Sequence, residues 1–128
     1  MSFEEGLFFY LDNYAGLSAE IDDRLYPLLL PQKATLPAVV YKRISTPRML
    51  ELENAFLPHP RFQFDVFAES FPRGKAVAEQ VRLALDLYRG AMGEYTVQTV
   101  IIDDEMDIYE PETKVWHSII DAVIWYEE

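Results

Sequence analysis

The chain has no cysteine. That excludes disulfide bonds, thiolate metal sites and a cysteine nucleophile, and it favours a reducing compartment. Histidine is nearly as scarce: His59 and His117 are the only two, and neither belongs to an H-E-x-x-H or Cys/His pattern. The five glycines, at positions 6, 16, 74, 90 and 93, make no G-x-G-x-x-G run and no phosphate-cradling loop, and no serine sits in a G-x-S-x-G elbow. Positive charge is in deficit, with 11 basic residues against 22 acidic and a net charge of −11. A protein that grips nucleic acid needs a basic excess to displace phosphate counterions, and a peripheral membrane binder needs a Lys/Arg-rich amphipathic face. Neither pattern occurs here. No apolar run approaches the roughly 18 residues needed to span a bilayer, and the opening MSFEEGLFFYLDNY carries acid where a signal peptide needs base. A soluble protein outside the usual export route is expected.

What the chain does have is apolar mass. Half of its 128 residues are hydrophobic and 14% are aromatic, which sets it apart from disordered chains and is enough for one domain, residues 1–128, around a single core. Phe3, Leu7, Tyr10, Leu11 and Tyr14 recur at helical spacing behind Ser2, with Glu5 completing a capping box, so a helix from Phe3 to about Tyr14 is predicted. A short helical turn follows over Ser18–Ile21. Pro27, Pro31 and Pro37 leave Leu25–Leu30 at most a short extended segment or edge strand. Val39–Ser45 reads as a strand, and so does RFQFDVFA, where Phe62, Phe64 and Val66 alternate with Gln63 and Asp65. Ser70 and Pro72 introduce a helix with the apolar stripe Val77, Val81, Ala84, Leu85 and Tyr88, an opposite face laced with charge, and Gly90 as its stop. Two long strands, Thr96 to about Ile108 and Val115–Tyr126, are joined around YEPET as a hairpin. The order predicts an α+β domain: a mainly antiparallel four- to five-stranded sheet with an N-terminal and a central helix packed on it.

Two features do not fit a simple monomer. The last strand is apolar on both faces, with Ile120, Ala122 and Ile124 on one and Ile119, Val123 and Trp125 on the other. A sheet covered on one side should alternate cleanly, so either helices cover both faces or another subunit covers the second. The segment Ser45–Pro60 is too long for a tight turn, contains Pro47, Pro58 and Pro60, and carries Met49, Leu50, Leu52, Phe56 and Leu57. Connections of this length are commonly functional, and these side chains are expected to touch another subunit or another component, the alternative being that the loop folds back over its own sheet.

The residues that most resemble a reactive site are the carboxylates Asp103, Asp104, Glu105, Asp107, Glu110 and Glu112. They lack the spacing of a calcium loop, and strand alternation sends Asp103, Glu105 and Asp107 one way and Asp104 the other. A solvated strand end and turn is the favoured reading. A weak divalent-cation site and a catalytic acid/base pair, hence a cation-dependent enzyme using Asp103–Asp107, stand as alternatives. His59, between two prolines, reads as a surface loop residue, and His117 as packed or edge-exposed. No catalytic, cofactor or metal residue is assigned.

Three segments in order carry a family resemblance: RLYPLLLPQKATLPAVVYKRIS (Arg24–Ser45), FQFDVFAES (Phe62–Ser70) leading into the helix with VRLAL (Val81–Leu85), and DIYEPETKVWHSIIDAVIWY (Asp107–Tyr126). Together they resemble the tail completion, or tail terminator, proteins of long-tailed bacteriophages and prophages, over nearly the whole chain. The resemblance implies a non-enzymatic virion protein, assembled in the host bacterial cytoplasm and located at the head–tail junction. It further implies a homo-oligomeric ring, typically a hexamer, on the head-proximal end of the tail tube, where it ends polymerisation of the tail tube protein and presents a surface to the head–tail connector or stopper protein. DNA would pass through the lumen without specific binding: six copies carry about −66 formal charges, and a like-charged wall does not hold phosphate. Another head–neck or minor capsid adaptor is the alternative within the structural class. No membrane and no cofactor is expected.

Overall fold

The computed structural model describes residues 2–46, 48–50 and 56–127. Helix α1 (Phe3–Asp12) starts as the capping box requires, with Ser2 Oγ accepting from Glu5 N and the Glu5 carboxylate accepting from Ser2 N. Helix α2 (Ala15–Ile21) follows at once and buries Leu17 and Ile21. Strands β1 (Leu25–Pro27) and β2 (Ala38–Ser45) come next, then β3 (Arg48–Leu50), β4 (Phe56–Pro58) and β5 (Arg61–Ala68). Helix α3 (Phe71–Leu85) is capped by Ser70, whose hydroxyl accepts from Arg73 N, with proline in its first turn. Strands β6 (Gly90–Met92), β7 (Tyr95–Glu110) and β8 (Val115–Glu127) close the chain.

The main sheet is six-stranded, in the order β1-β2-β5-β8-β7-β6, and β3 and β4 pair separately as a two-stranded ribbon. Every pair in the main sheet is antiparallel except β1 with β2, which is parallel. The α+β reading therefore holds, but among the described residues the main sheet has six strands against the four or five expected, and the short turn expected at Ser18–Ile21 is part of a helix of its own, α2. The edge strand allowed for at Leu25–Leu30 is β1, and the strand not foreseen is β6, three residues long at the opposite edge and too short to leave a period in the sequence. The predicted stripe on α3 is real at Val77, Val81, Ala84 and Leu85, all buried. Tyr88 and Gly90 lie beyond the helix, which stops at Asp86 because Leu87 takes a positive φ of 58° and donates its N–H to Val100 O, turning the chain onto the sheet.

The core lies between the helices and one face of the sheet. Leu7, Leu11, Leu17, Ile21, Val77, Val81 and Leu85 meet Val39, Phe62, Phe64, Val66, Ile120 and Ile124 in one buried cluster. The alternation read in RFQFDVFA is what puts Phe62, Phe64 and Val66 there, opposite Ala122, Ile120 and Ser118 of β8. Phe3 stacks flat on Tyr126 at 4.0 Å and meets the edge of Tyr95 at 5.5 Å, locking α1 to the far end of β8. The helix also depends on Gly6: a Cβ there would fall well inside contact distance of the Met92 carbonyl oxygen and 3.1 Å from its carbon, so β6 can approach α1 this closely only at glycine.

Candidate functional site

The register sorts the residues of β8 cleanly. Ser118, Ile120, Ala122, Ile124 and Tyr126 are buried toward the helices, whereas Ile119, Val123 and Trp125 turn to the opposite face and are half-buried. Beside them on β7, Ile101 pairs with Val123, Met106 with Ile119 and Ile108 with His117, and these three are 43%, 51% and 39% exposed. Among the described residues no helix contributes a buried residue to this side. It is closed at the β2 end, where Ala38 and Val40 are buried, and open at the β7 end. Trp125 is covered by the ring of His59, stacked at 4.0 Å and 9°. His59, in the loop between β4 and β5 as expected, is half-buried and also serves as an aromatic partner.

Polar groups cross the same face. Asp65 is 5% exposed, accepts from Gln63 Nε2 at 2.8 Å, and has Lys42 Nζ at 3.7 Å and His117 Nε2 at 3.5 Å. Burial pushes its carboxyl up, but the hydrogen bonds and positive charge supplied by His117, Gln63 and Lys42 outweigh that and hold it below the usual range. Neighbouring Asp121 goes the other way: burial raises it, Arg61 opposes, and Asp104, Asp103 and Asp65 add repulsion. His117 stacks on Phe67 at 4.3 Å between Asp65 and Glu110, a packed residue as expected.

The acidic cluster needs one correction. A β-bulge between Ile102 and Asp104 leaves Asp103 without a partner on β8. Asp103 therefore does not share a side with Glu105 and Asp107, and it reaches Arg61 Nη1 at 2.5 Å instead. Glu105 and Asp107 turn toward α3, where Arg82 Nε lies 3.1 Å from Glu105 and Lys75 pairs with Asp107. The Lys75 hydrogen bond, with one from Ser118 and against partial burial, holds the Asp107 carboxyl below its usual range. The cluster is solvent-facing but tied by ion pairs to three separate cations. The crevice between α3 and β7, lined by Lys75, Arg82, Glu105, Asp107 and Ser118, has a volume of about 160 Å³, below the roughly 300 Å³ of ordinary ligand pockets. Among the described residues no group of three or more His, Cys, Asp or Glu is placed to hold a metal ion.

The segment between β2 and β5 is more ordered in its pairing than the sequence suggests, because Met49 pairs with Leu57 and Leu50 with Phe56 in the β3–β4 ribbon. Leu52 lies outside the described residues, as do the side chains of Met49, Leu50, Phe56 and Leu57. Sequence reasoning missed a second apolar feature. A cleft of about 540 Å³ between α1 and the β1–β2 edge is lined by Glu5, Phe8, Phe9, Leu25, Pro27 and Tyr41, and it adjoins another lined by Leu28, Lys42 and Arg43. Phe8 and Phe9 fall off the predicted helical stripe, and Leu28 and Leu29, 66% and 79% exposed, sit in the proline-broken stretch. The signal was the surplus of apolar residues off the core period.

These features describe a small sheet domain with apolar surface left open on one face of the sheet and at the α1–β1 cleft. The chain belongs to the tail completion protein gp17 family, whose model matches residues 6–127. It is accordingly a structural protein of a virion tail. No curated protein matches the chain. Among solved structures, a chain of the virion of the native gene transfer agent particle has the same fold, with a TM-score of 0.80 at 14% identity over 95% of this chain and 92% of that one.

Proposed function

We propose that the protein is a tail terminator. Its copies close into a ring, six by the family resemblance, on the head-proximal end of the tail tube, where the ring ends tube polymerisation and offers a docking surface to the head–tail connector or stopper. The observation that carries this reading is the match to the tail completion family over residues 6–127. Physical support comes from the sheet face left open at β7. Ile101, Met106 and Ile108 with the half-buried Ile119, Val123 and Trp125 form apolar surface of the kind that marks contact sites on soluble proteins. In this reading Ile119, Val123 and Trp125 face a neighbouring subunit, and Met49, Leu50, Leu52, Phe56 and Leu57 contact a neighbour, the tube or the connector. The prolines of the 46–60 segment reduce the entropy lost when it docks. The net charge of −11 on each copy suits a conduit through which DNA slides without adhering.

The test is negative-stain microscopy of the purified protein alone and mixed with tail tube protein. Rings, free or seated on one end of a tube, support the reading. Tubes with bare ends and a protein that stays monomeric in their presence would end it. The fold shared with a gene transfer agent particle chain suits another head–neck adaptor as well. That reading expects binding to connector protein and none to tube ends.

A further inference from the structure

Charge is segregated across the sheet. Between Arg24 and Thr46 there are four basic residues, Arg24, Lys33, Lys42 and Arg43, and no carboxylate. Between Glu94 and Glu128 there are ten carboxylates and one basic residue, Lys114. The first stretch builds β1 and β2, at one edge of the sheet, and the second builds β7 and β8, toward the other. The ion pairs already made do not erase the contrast. Arg61, Lys75 and Arg82 reach the acidic side from other elements, while Glu4 and Asp65 reach the basic side and Glu5 lines its cleft, so the four basic residues keep a small excess and each side keeps its sign.

Both edges are also incompletely paired. Strand β6 covers β7 only from Tyr95 to Val97, which among the described residues leaves the outer edge without a strand partner from Ile101 to Glu110. Strand β1 covers β2 only from Val39 to Tyr41, and among the described residues no strand pairs with β2 on that edge from Lys42 to Ser45. An unpaired edge is a template for another strand. Each carries apolar surface beside its charge: Met106, Ile108 and Tyr109 on β7, and Leu28, Leu29 and the cleft under Phe9 and Pro27 at β1. The two edges are different surfaces with opposite sign, and joining unlike surfaces head to tail closes a ring when the rotation permits, whereas a two-fold contact would set like against like.

We propose that the outer edge and tip of the β7–β8 hairpin of one copy dock on the β1–β2 edge of the next. The carboxylates Asp104, Glu110 and Glu112 then face Lys33, Lys42 and Arg43, and the apolar side chains of the hairpin enter the cleft between α1 and β1. This inference rests on the ring reading above and names the surfaces that build the ring.

The experiment uses two charge-reversed proteins: Asp104→Lys with Glu112→Lys, and Lys33→Glu with Arg43→Glu. These positions avoid the buried Asp65 and its partner Lys42. Native mass spectrometry at low ionic strength, with tube protein if wild type needs it to assemble, is expected to show each variant alone losing the ring. Mixed in equal amounts, the two should reassemble into alternating rings with an even number of copies, because every junction then joins either two reversed edges or two unreversed edges, each pair of opposite sign. That rescue also shows that both variants fold. If wild type forms rings and either variant does so equally, or if the mixture stays unassembled, the proposed edges are wrong while the ring reading survives. If wild type forms no ring alone or on tubes, both fall.

Discussion

Two glycines in helices should respond oppositely to the same substitution. Replacing a mid-helix glycine with alanine is worth up to about 1 kcal/mol, from propensity and reduced unfolded-state freedom. At Gly74 in α3 nothing opposes that gain, since the added Cβ would lie 3.5 Å from Ala68 Cβ and 3.9 Å from Trp116 Cβ, which is ordinary contact. Gly74→Ala should stabilise by about 0.5–1 kcal/mol. At Gly6 in α1 the Cβ would overlap the backbone carbonyl oxygen of Met92 and lie 3.1 Å from its carbon. A carbonyl cannot rotate away as a side chain can, so α1 or β6 must move. Overpacking of this sort costs about 1–3 kcal/mol, which exceeds the propensity gain, and Gly6→Ala should destabilise by about 1–2 kcal/mol. Equilibrium urea unfolding with unchanged slope is the assay. A Gly6→Ala protein as stable as wild type, or a Gly74→Ala protein less stable than wild type, would refute the packing of α1 on β6 or of α3 on β5 and β8.

Other consequences follow from the open face and its charges. Asp65 has a depressed folded-state pKa, so its contribution is present above the unfolded value of 3.8 and is lost as pH falls through the lower folded value; Asp65→Asn should flatten that acid limb in a urea–pH series. Asp121 has the opposite sign: its raised pKa makes it neutral to stability below 3.8 and a penalty once pH rises through its folded value, so Asp121→Asn should stabilise at pH 7 and change little at pH 3. Glu105→Gln should cost less than about 1 kcal/mol, because its pair with Arg82 is solvent-exposed, and the cost should shrink in 1 M salt. Trp125→Glu places charge on the open face against His59 and should weaken assembly more than it lowers the melting temperature; an unfolded product, or unchanged assembly, would count against that assignment.

The parts of this fold that could be read in advance are those with a long period or a specific cap. The Ser2–Glu5 box, the α3 stripe, the alternation of Phe62, Phe64 and Val66, and the two-sided apolar character of Ile119 to Trp125 are each set by local chemistry, and each appears in the structure. What could not be read depends on pairing that leaves no period of its own. Leu25–Pro27, expected only as a short extended segment or edge strand, is made a strand by β2 beside it, and Gly90–Met92 by its tight turn back onto β7. The bulge at Asp103 adds one residue, and one residue is enough to change which side of a strand a carboxylate occupies. Of the candidate interface, strand parity placed Ile119, Val123 and Trp125 correctly together on one face, but it could not show Ile101, Met106 and Ile108 beside them, because that adjacency is set by the register of β7 on β8.

The central claim is that this protein ends a tail tube, and its most direct test is tube growth itself. Purified tail tube protein is polymerised from preformed tube seeds, the protein is added well below the concentration of tube subunits, and tube lengths are measured by electron microscopy. The account predicts that growth stops, that each arrested tube carries a ring at one end only, and that the amount needed follows the number of tube ends and not the number of subunits. Tubes that keep lengthening with the protein present in excess over ends, or arrest that requires one copy for every tube subunit, would contradict it.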